Sequence, residues 1–292
     1  MAQPVIVGVD DAPGMAGAVD WAADEARRRG SRLHLVHAWL PQPYDTPEAS
    51  ANEADLRAAE RLVTELAERA TARQPELEVS SGVVRTGPRE ALESLSRTAE
   101  LLVLGRRGSS GFPGLLAGST SLHLAADAAC PVVVVPPAPA PGSAAGAGGG
   151  AGTVAVGVRG REAGEVLLTQ AFTAAQRLGT GLRVVHAWRN PLLLSRGHAL
   201  PPVYEEGHVA AEQARLIAEI LAGWRQRYPD VPVEVDAVRS GPARHLVELS
   251  ATERLLVVGR HGAVAGPVGR LGSVSQAVVH HASCPVEVVP MA

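Results

Sequence analysis

The sequence predicts an α/β protein made of two tandem, doubly wound, five-stranded parallel sheets. Short β-branched runs alternate with longer polar-patterned segments, the last two apolar runs of each round are almost wholly aliphatic, and the 292-residue chain is written twice. Such alternation marks helices on both faces of a parallel sheet. Strands covered on both faces read as continuous apolar runs, and a repeat near 150 residues is a whole domain rather than a solenoid unit.

Val5 to Val9 reads as the first strand, and the segment "DAPGMAGAVDWAADEARRRG" then places Ala18, Trp21, Ala22 and Ala26 on one helical face. Leu33 to Trp39 reads as the second strand. An amphipathic helix from about Glu48 to Ala72 carries Leu56, Leu62, Val63 and Leu66, and Leu77 to Val84 follows as the third strand. Pro88 suits the first turn of a third helix. Leu101 to Leu104 is the fourth strand, a helix runs from Ser119 to about Ala128, and Val132 to Val135 closes the round.

An offset of 154 carries Gly105, Gly108 and Gly118 onto Gly259, Gly262 and Gly272, Cys130 onto Cys284, and "RTGP" at 85 to 88 onto "RSGP" at 239 to 242. Nearer the start, "VHAW" recurs at 36 and 185, an offset of 149, so the second copy gains five residues between Asn190 and Tyr228. Between the copies, "PPAPAPGSAAGAGGGAG" offers no large apolar group to a core and reads as a linker. The expected domains are 1–138 and 152–292, joined by 139–151, each long enough to bury its own core.

Composition narrows the function. An apolar content of 46% with 20% charged residues is ordinary globular usage. A net charge of -3 gives no footprint for nucleic acid or an acidic membrane surface. All 27 basic residues are arginine, so a P-loop lysine and a Schiff-base lysine are both excluded. Cys130 and Cys284 each precede a proline at a strand start, which does not suggest a disulfide framework. With no leader and no apolar run approaching the roughly 18 residues of a membrane span, a cytoplasmic location is expected. H-E-x-x-H and G-x-S-x-G are both missing, which leaves metallohydrolase and serine hydrolase chemistry without support.

The stretch "GRRGSSGFPGLLAGST" directly follows the fourth strand. Gly105 and Gly108 suit positive φ and bare backbone N–H groups. Gly118 leads into a helix whose first N–H groups lack internal partners and lie at the positive end of its dipole, a ready phosphate site to which Ser119, Thr120 and Ser121 add hydroxyls. In a doubly wound sheet the ligand lies where strand order reverses. With the first strand central and the fourth beside it, the residues after those two strands face each other there.

"GRRGSSGFPGLLAGST" and "GRHGAVAGPVGRLGSVS" both fit G-x2-G-x9-G-[ST], and with "VIVGVDDAP", "LHLVHAW", "SLHLAADAACPVVVVP" and "SQAVVHHASCPVEVVP" the chain resembles the ATP-binding branch of the universal stress protein family. The resemblance covers nearly everything outside the linker and the regions 40–55 and 190–205. It implies an adenine nucleotide alpha hydrolase-like sheet of strand order 3-2-1-4-5 in each copy, and ATP as ligand. Gly105, Gly108, Gly118, Ser119 and Thr120 would surround ribose and phosphates in the first copy. Gly259, Gly262, Gly272, Ser273 and Val274 would do so in the second. Asp10 matches the family's acidic residue after the first strand, suited to the ribose and base side or to a divalent cation, Mg or Mn. The role implied is a nucleotide-dependent stress regulator or sensor without efficient catalysis, since Asp10 is the sole candidate base and sits away from the terminal phosphate. The alternatives are a stress scaffold that binds no nucleotide and a slow ATPase.

The copies diverge where Asp10 corresponds to Arg159. Either the second site is lost or weakened, with Arg159 paired to Glu162 or Glu165, or its guanidinium contacts the nucleotide. Arg106, Arg107, Arg260 and Arg270 either neutralise phosphate or are solvated. His37 and His186 are expected to be hydrogen-bonded within the fold, and no metal site is expected at His280 and His281. The final strands, "PVVVV" and "PVEVV", read as sheet edges that pair within the chain across a pseudo-twofold axis. A homodimer and an unidentified regulatory protein complete the expected partners.

Overall fold

The computed structural model describes residues 3–12, 14–41, 52–106, 117–137, 152–159, 164–188, 203–260 and 271–291. The first half runs β1 (Val5–Gly8), α1 (Met15–Arg29), β2 (Leu33–Ala38), α2 (Asn52–Arg73), β3 (Val79–Val84), α3 (Pro88–Ser96), β4 (Leu101–Gly105), α4 (Ser119–Asp127) and β5 (Val132–Val135). The second repeats it as β6 (Val154–Gly157), α5 (Glu165–Leu178), β7 (Leu182–Trp188), α6 (Val203–Arg227), β8 (Val233–Arg239), α7 (Pro242–Leu249), β9 (Leu255–Arg260), α8 (Ser273–His281) and β10 (Val286–Pro290). The start expected for the second helix, near Glu48, falls outside the described residues, as does most of the linker. Leu77 is not in a strand: its N–H bonds back to the carbonyl of Gln74 in a turn, and the strand begins at Val79.

Local chemistry sets the element ends. Gly30 (φ 65°) and Gly179 (φ 61°) close α1 and α5 in the left-handed conformation that glycine adopts without a Cβ clash. Pro88 and Pro242 open α3 and α7, where the missing N–H costs nothing.

The strands form one sheet of order β3-β2-β1-β4-β5-β10-β9-β6-β7-β8. Each half is parallel and carries the order 3-2-1-4-5. β5 and β10 meet antiparallel, with Val134 opposite Val286, Val133 opposite Glu287 and Val132 opposite Val288. Because strand side chains alternate between faces, this pairing joins the two halves differently on each face. On the face covered by α3, α4, α7 and α8, Leu102, Val132 and Val134 share a single core with Leu256, Val286 and Val288. The halves share this core because two short strands paired edge to edge cannot keep their inward side chains apart. On the face covered by α1, α2, α5 and α6, each half keeps its own core.

Between those two cores lies an ionic cluster. Glu25, 3% exposed, accepts from Arg29 at 2.7 Å and from Arg28 at 3.1 Å and, across the seam, forms an ion pair with Arg177 at 3.0 Å. Arg29 also reaches Glu100 at 3.0 Å. Burial opposes ionisation of Glu25, yet Arg29, Arg177 and Arg28 outweigh it and hold the carboxyl below its usual value of 4.5. Glu287, fully buried on β10, moves the other way: burial raises its pKa despite the attraction of Arg29 and Arg177.

Candidate functional site

Strand order reverses between β1 and β4, and again between β6 and β9. Gly8 pairs with Leu104, so the carboxyl ends of β1 and β4 stand side by side and the chain leaves them at Val9-Asp10 and at Gly105-Arg106. The corresponding positions in the second half are Val158-Arg159 and Gly259-Arg260. Gly108 and Gly262 lie outside the described residues, as do Arg107, Glu162, His261 and Arg270.

Asp10 is half-buried, and its Oδ1 accepts the N–H of Ala12 at 3.1 Å, which fixes the carboxylate in a turn directly beyond β1. Arg159, its counterpart, is exposed. Gly105 ends β4 in register with Val135 and does not take the positive φ expected from its sequence context. A residue still inside a ladder keeps extended geometry, so the chain turns after Gly105 rather than at it. Gly259 is likewise the partner of Val289, and its lack of a side chain serves close packing: a Cβ there would stand 3.1 Å from Met291 Cγ and 3.2 Å from Sδ.

Gly118 precedes α4 in an extended conformation, with no side chain capping the helix start. Its N–H donates to the carbonyl of Arg106 at 2.7 Å, while the N–H of Arg106 donates to Val135 at 2.8 Å. Arg106 thus ties β5, the end of β4 and the start of α4 together. Gly272 stands before α8 at φ 75° and ψ 153°, a region open essentially to glycine alone. The carbonyl of Arg260 accepts the N–H of Met291 at 3.2 Å. The two helix starts are consequently built differently.

Ser119 and Ser273 are exposed at the first helical position, and Thr120 is half-buried behind Ser119. Val274 packs against the shared core, so only its backbone is available at the helix start. Ser121 is taken up internally: its hydroxyl donates to the carbonyl of Gly105 at 2.8 Å, and Ser275 repeats the bond to Gly259 at 2.8 Å. The hydroxyl expected to serve a ligand instead locks the helix to the strand before it. An uncapped helix start, an exposed hydroxyl and a carboxylate fixed one strand away fit a phosphate and a ribose chemically.

The two described arginines of the motif reach elsewhere. Arg106 Nη1 donates to the carbonyl of Ala282 at 2.6 Å, and Arg260 donates through Nη1 to Ala126 and through Nη2 to Ala128. Each reaches into the opposite half, a use that no local pattern signals because the partners are 176 and 134 or 132 residues away in sequence. His37 Nδ1 bonds to the carbonyl of Val9 at 2.8 Å and His186 Nδ1 to that of Val158 at 3.2 Å, as expected of histidines serving the fold. Among the described residues no three His, Cys, Asp or Glu side chains converge on a metal position. Nor is any described helix long and apolar enough to cross a membrane.

The profile of the universal stress protein family matches residues 1–136 and 151–290. Universal stress protein Rv2005c of Mycobacterium tuberculosis is 36% identical over 290 residues, covering 97% of this chain and 95% of its own. Universal stress protein Rv2623 of the same organism is 36% identical, covering 97% and 94%. A crystal structure of a universal stress protein from Archaeoglobus fulgidus superposes with a TM-score of 0.70 at 16% identity, covering 99% of this chain and 96% of that one, a likeness of fold.

Proposed function

The chain belongs to the universal stress protein family, and we propose that it is an ATP-binding member that serves as a nucleotide-dependent regulator or sensor in the cytoplasm. In the first half, Gly105, Gly108, Gly118, Ser119 and Thr120 hold the phosphates and ribose, with Asp10 on the ribose side or on an accompanying Mg or Mn ion. In the second, Gly259, Gly262, Gly272, Ser273 and the backbone of Val274 do the same work. The observation that carries the reading is the uncapped start of α4 beside the strand-order reversal, with Ser119 exposed on it. Backbone N–H groups at that end of a helix favour an anion without any lysine.

The same geometry argues against efficient hydrolysis. Attack on a terminal phosphate needs a base within hydrogen-bond reach of the water, and the Asp10 carboxylate is engaged with the N–H of Ala12. The proposed output is therefore a change of conformation or partner on binding. With Arg159 where the first half has Asp10, the second site lacks the carboxylate and binds the nucleotide more weakly.

Calorimetric titration of the full chain with ATP and Mg tests the reading. S119E and S273E each place a carboxylate where a phosphate would lie, blocking one half at a time. Binding lost in part by each substitution and in full by both is the expected outcome, with S119E removing the stronger site. A chain that takes up no ATP is a scaffold, and steady turnover of several per second makes it an ATPase; either result refutes the proposal.

A further inference from the structure

The side chain of the arginine that follows the first motif glycine reaches into the opposite half in both copies. Arg106 donates to Ala282, which ends α8, and Arg260 donates to Ala126 and Ala128, at the end of α4. The two residues stand at equivalent positions of the repeat, so the arrangement is reciprocal across the seam. The last carbonyls of a helix lack internal partners and lie at the negative end of its dipole, and a guanidinium meets both needs. Arg260 is only 8% exposed, so its contacts are made away from water.

The opposite ends of the same two helices are Ser119 and Ser273. At 1.5 Å per residue, nine residues put the held end and the anion-binding end about 13 Å apart along one rigid element. The backbone of Arg106 meanwhile ties the end of β4 to β5 and to the start of α4, through its bonds to Val135 and Gly118. The backbone of Arg260 ends β9 in register with Pro290 and accepts from Met291. One residue in each half therefore belongs both to its own nucleotide turn and to the far end of the other half's phosphate helix.

We propose that Arg106 and Arg260 are positioning residues that couple the two nucleotide sites, each holding in place the phosphate-binding helix of the opposite half. The inference rests on the nucleotide reading above. Settling a phosphate on the start of α4 shifts or stiffens that helix, its last carbonyls carry the change to Arg260, and the end of β9 at the second site responds. Coupling of binding free energies is reciprocal, so the second site acts on the first through Arg106 and α8 to the same extent.

In a full chain carrying S273E, ATP binds the first half alone, and R260M then removes a side chain that belongs to the other half. First-half affinity is expected to fall about fivefold or more, the lower end of usual allosteric coupling, and R260K, which keeps a cation near the same carbonyls, recovers part of it. A second readout leaves both arginines in place: in a chain carrying S119E, ATP confined to the second half is expected to slow amide hydrogen exchange along α4. Unchanged first-half affinity, or exchange along α4 that is indifferent to ATP, overturns the coupling even though ATP binds. No binding of ATP by the unsubstituted chain overturns the nucleotide reading and this inference together.

Discussion

Replacing Glu25 with glutamine tests how the two halves are held together. Its carboxylate is 3% exposed and faces three guanidiniums within 3.1 Å, one of them Arg177 from the other half. Gln keeps the volume and removes the charge, leaving Arg29, whose side chain is 4% exposed, with Glu100 as its close carboxylate partner. Removing one member of a buried ion pair costs about 3–5 kcal/mol. With a urea slope of about 3 kcal/mol per molar, this corresponds to a midpoint lower by about 1 M or more. The core shared across the seam predicts a single transition in both proteins. Because the folded-state pKa of Glu25 is depressed below 4.5, its contribution is fully present above that value and is lost as pH falls through the folded value. Parent and variant should therefore differ at pH 7 and converge in acid. Midpoints within about 0.2 M of each other at pH 7, or a gap that does not close in acid, would refute the assignment of Glu25 as the charge centre of the seam.

Glu287 titrates in the opposite sense among Arg29, Arg177 and Glu25: its folded pKa is raised, so its favourable contribution is full below 4.5 and is lost as pH rises through the folded value. E287Q should gain stability relative to the parent between pH 4 and pH 8 in urea titrations, and a gap independent of pH would contradict this. Burial pushes the thiol of Cys130 up to about 11 and that of Cys284 up to about 12, so neither should react with iodoacetamide at pH 8 until the chain is unfolded, as mass spectrometry would reveal. A Cβ on Gly152 would overlap the carbonyl oxygen of Thr252 and stand 2.9 Å from the nitrogen of Arg254, so G152A should cost about 1–3 kcal/mol or more. Gly17, inside α1 with nothing within 4 Å of its added Cβ, should instead gain about 0.5–1 kcal/mol as G17A; thermal melts of the pair check both signs.

Strands and helix starts were legible in the sequence because each depends on neighbouring residues. A run such as Val132 to Val135 is buried on both faces whatever lies beyond it, and Pro88 behind Gly87 opens a helix by its own geometry. The pairing of the last strands was also readable, since a bare aliphatic edge needs a partner. What that pairing does to each face was not. Alternation places Val134 and Val133 on opposite faces, but only the register with Val286 and Glu287 shows that one face continues an apolar core while the other meets a buried carboxyl group. The candidate site divides the same way. Its helix starts follow from the glycine and serine at 118–119 and 272–273, whereas the reach of Arg106 and Arg260 into the opposite half depends on tertiary placement across more than 130 residues. Gly105 shows a further limit: glycine at a motif position announces a backbone need without saying whether it is a left-handed turn or a close approach.

Divergence between the copies is concentrated where they differ in surroundings. Along α1 and α2 the first half closes with two bidentate pairs, Arg69 to Asp20 and Arg73 to Asp24. The second replaces them with a stack of Phe172, Trp224 and Tyr228, ring centres 5.0 to 6.2 Å apart. An exposed bidentate pair contributes little to stability, while buried aromatic faces contribute through area removed from water, so the aromatic stack adds more to the second half than the two ion pairs add to the first, whose own core on this face includes small residues such as Ala23 and Ala70. At the seam, Glu287 stands opposite Val133, its counterpart in the repeat, so a single buried carboxyl group lies there within the field of Arg29 of α1 and Arg177 of α5. A symmetric pair of carboxylates facing each other would repel. Arg159, where the first half has Asp10, is a further departure from symmetry, whereas the sheet order and the reciprocal contacts of Arg106 and Arg260 keep it.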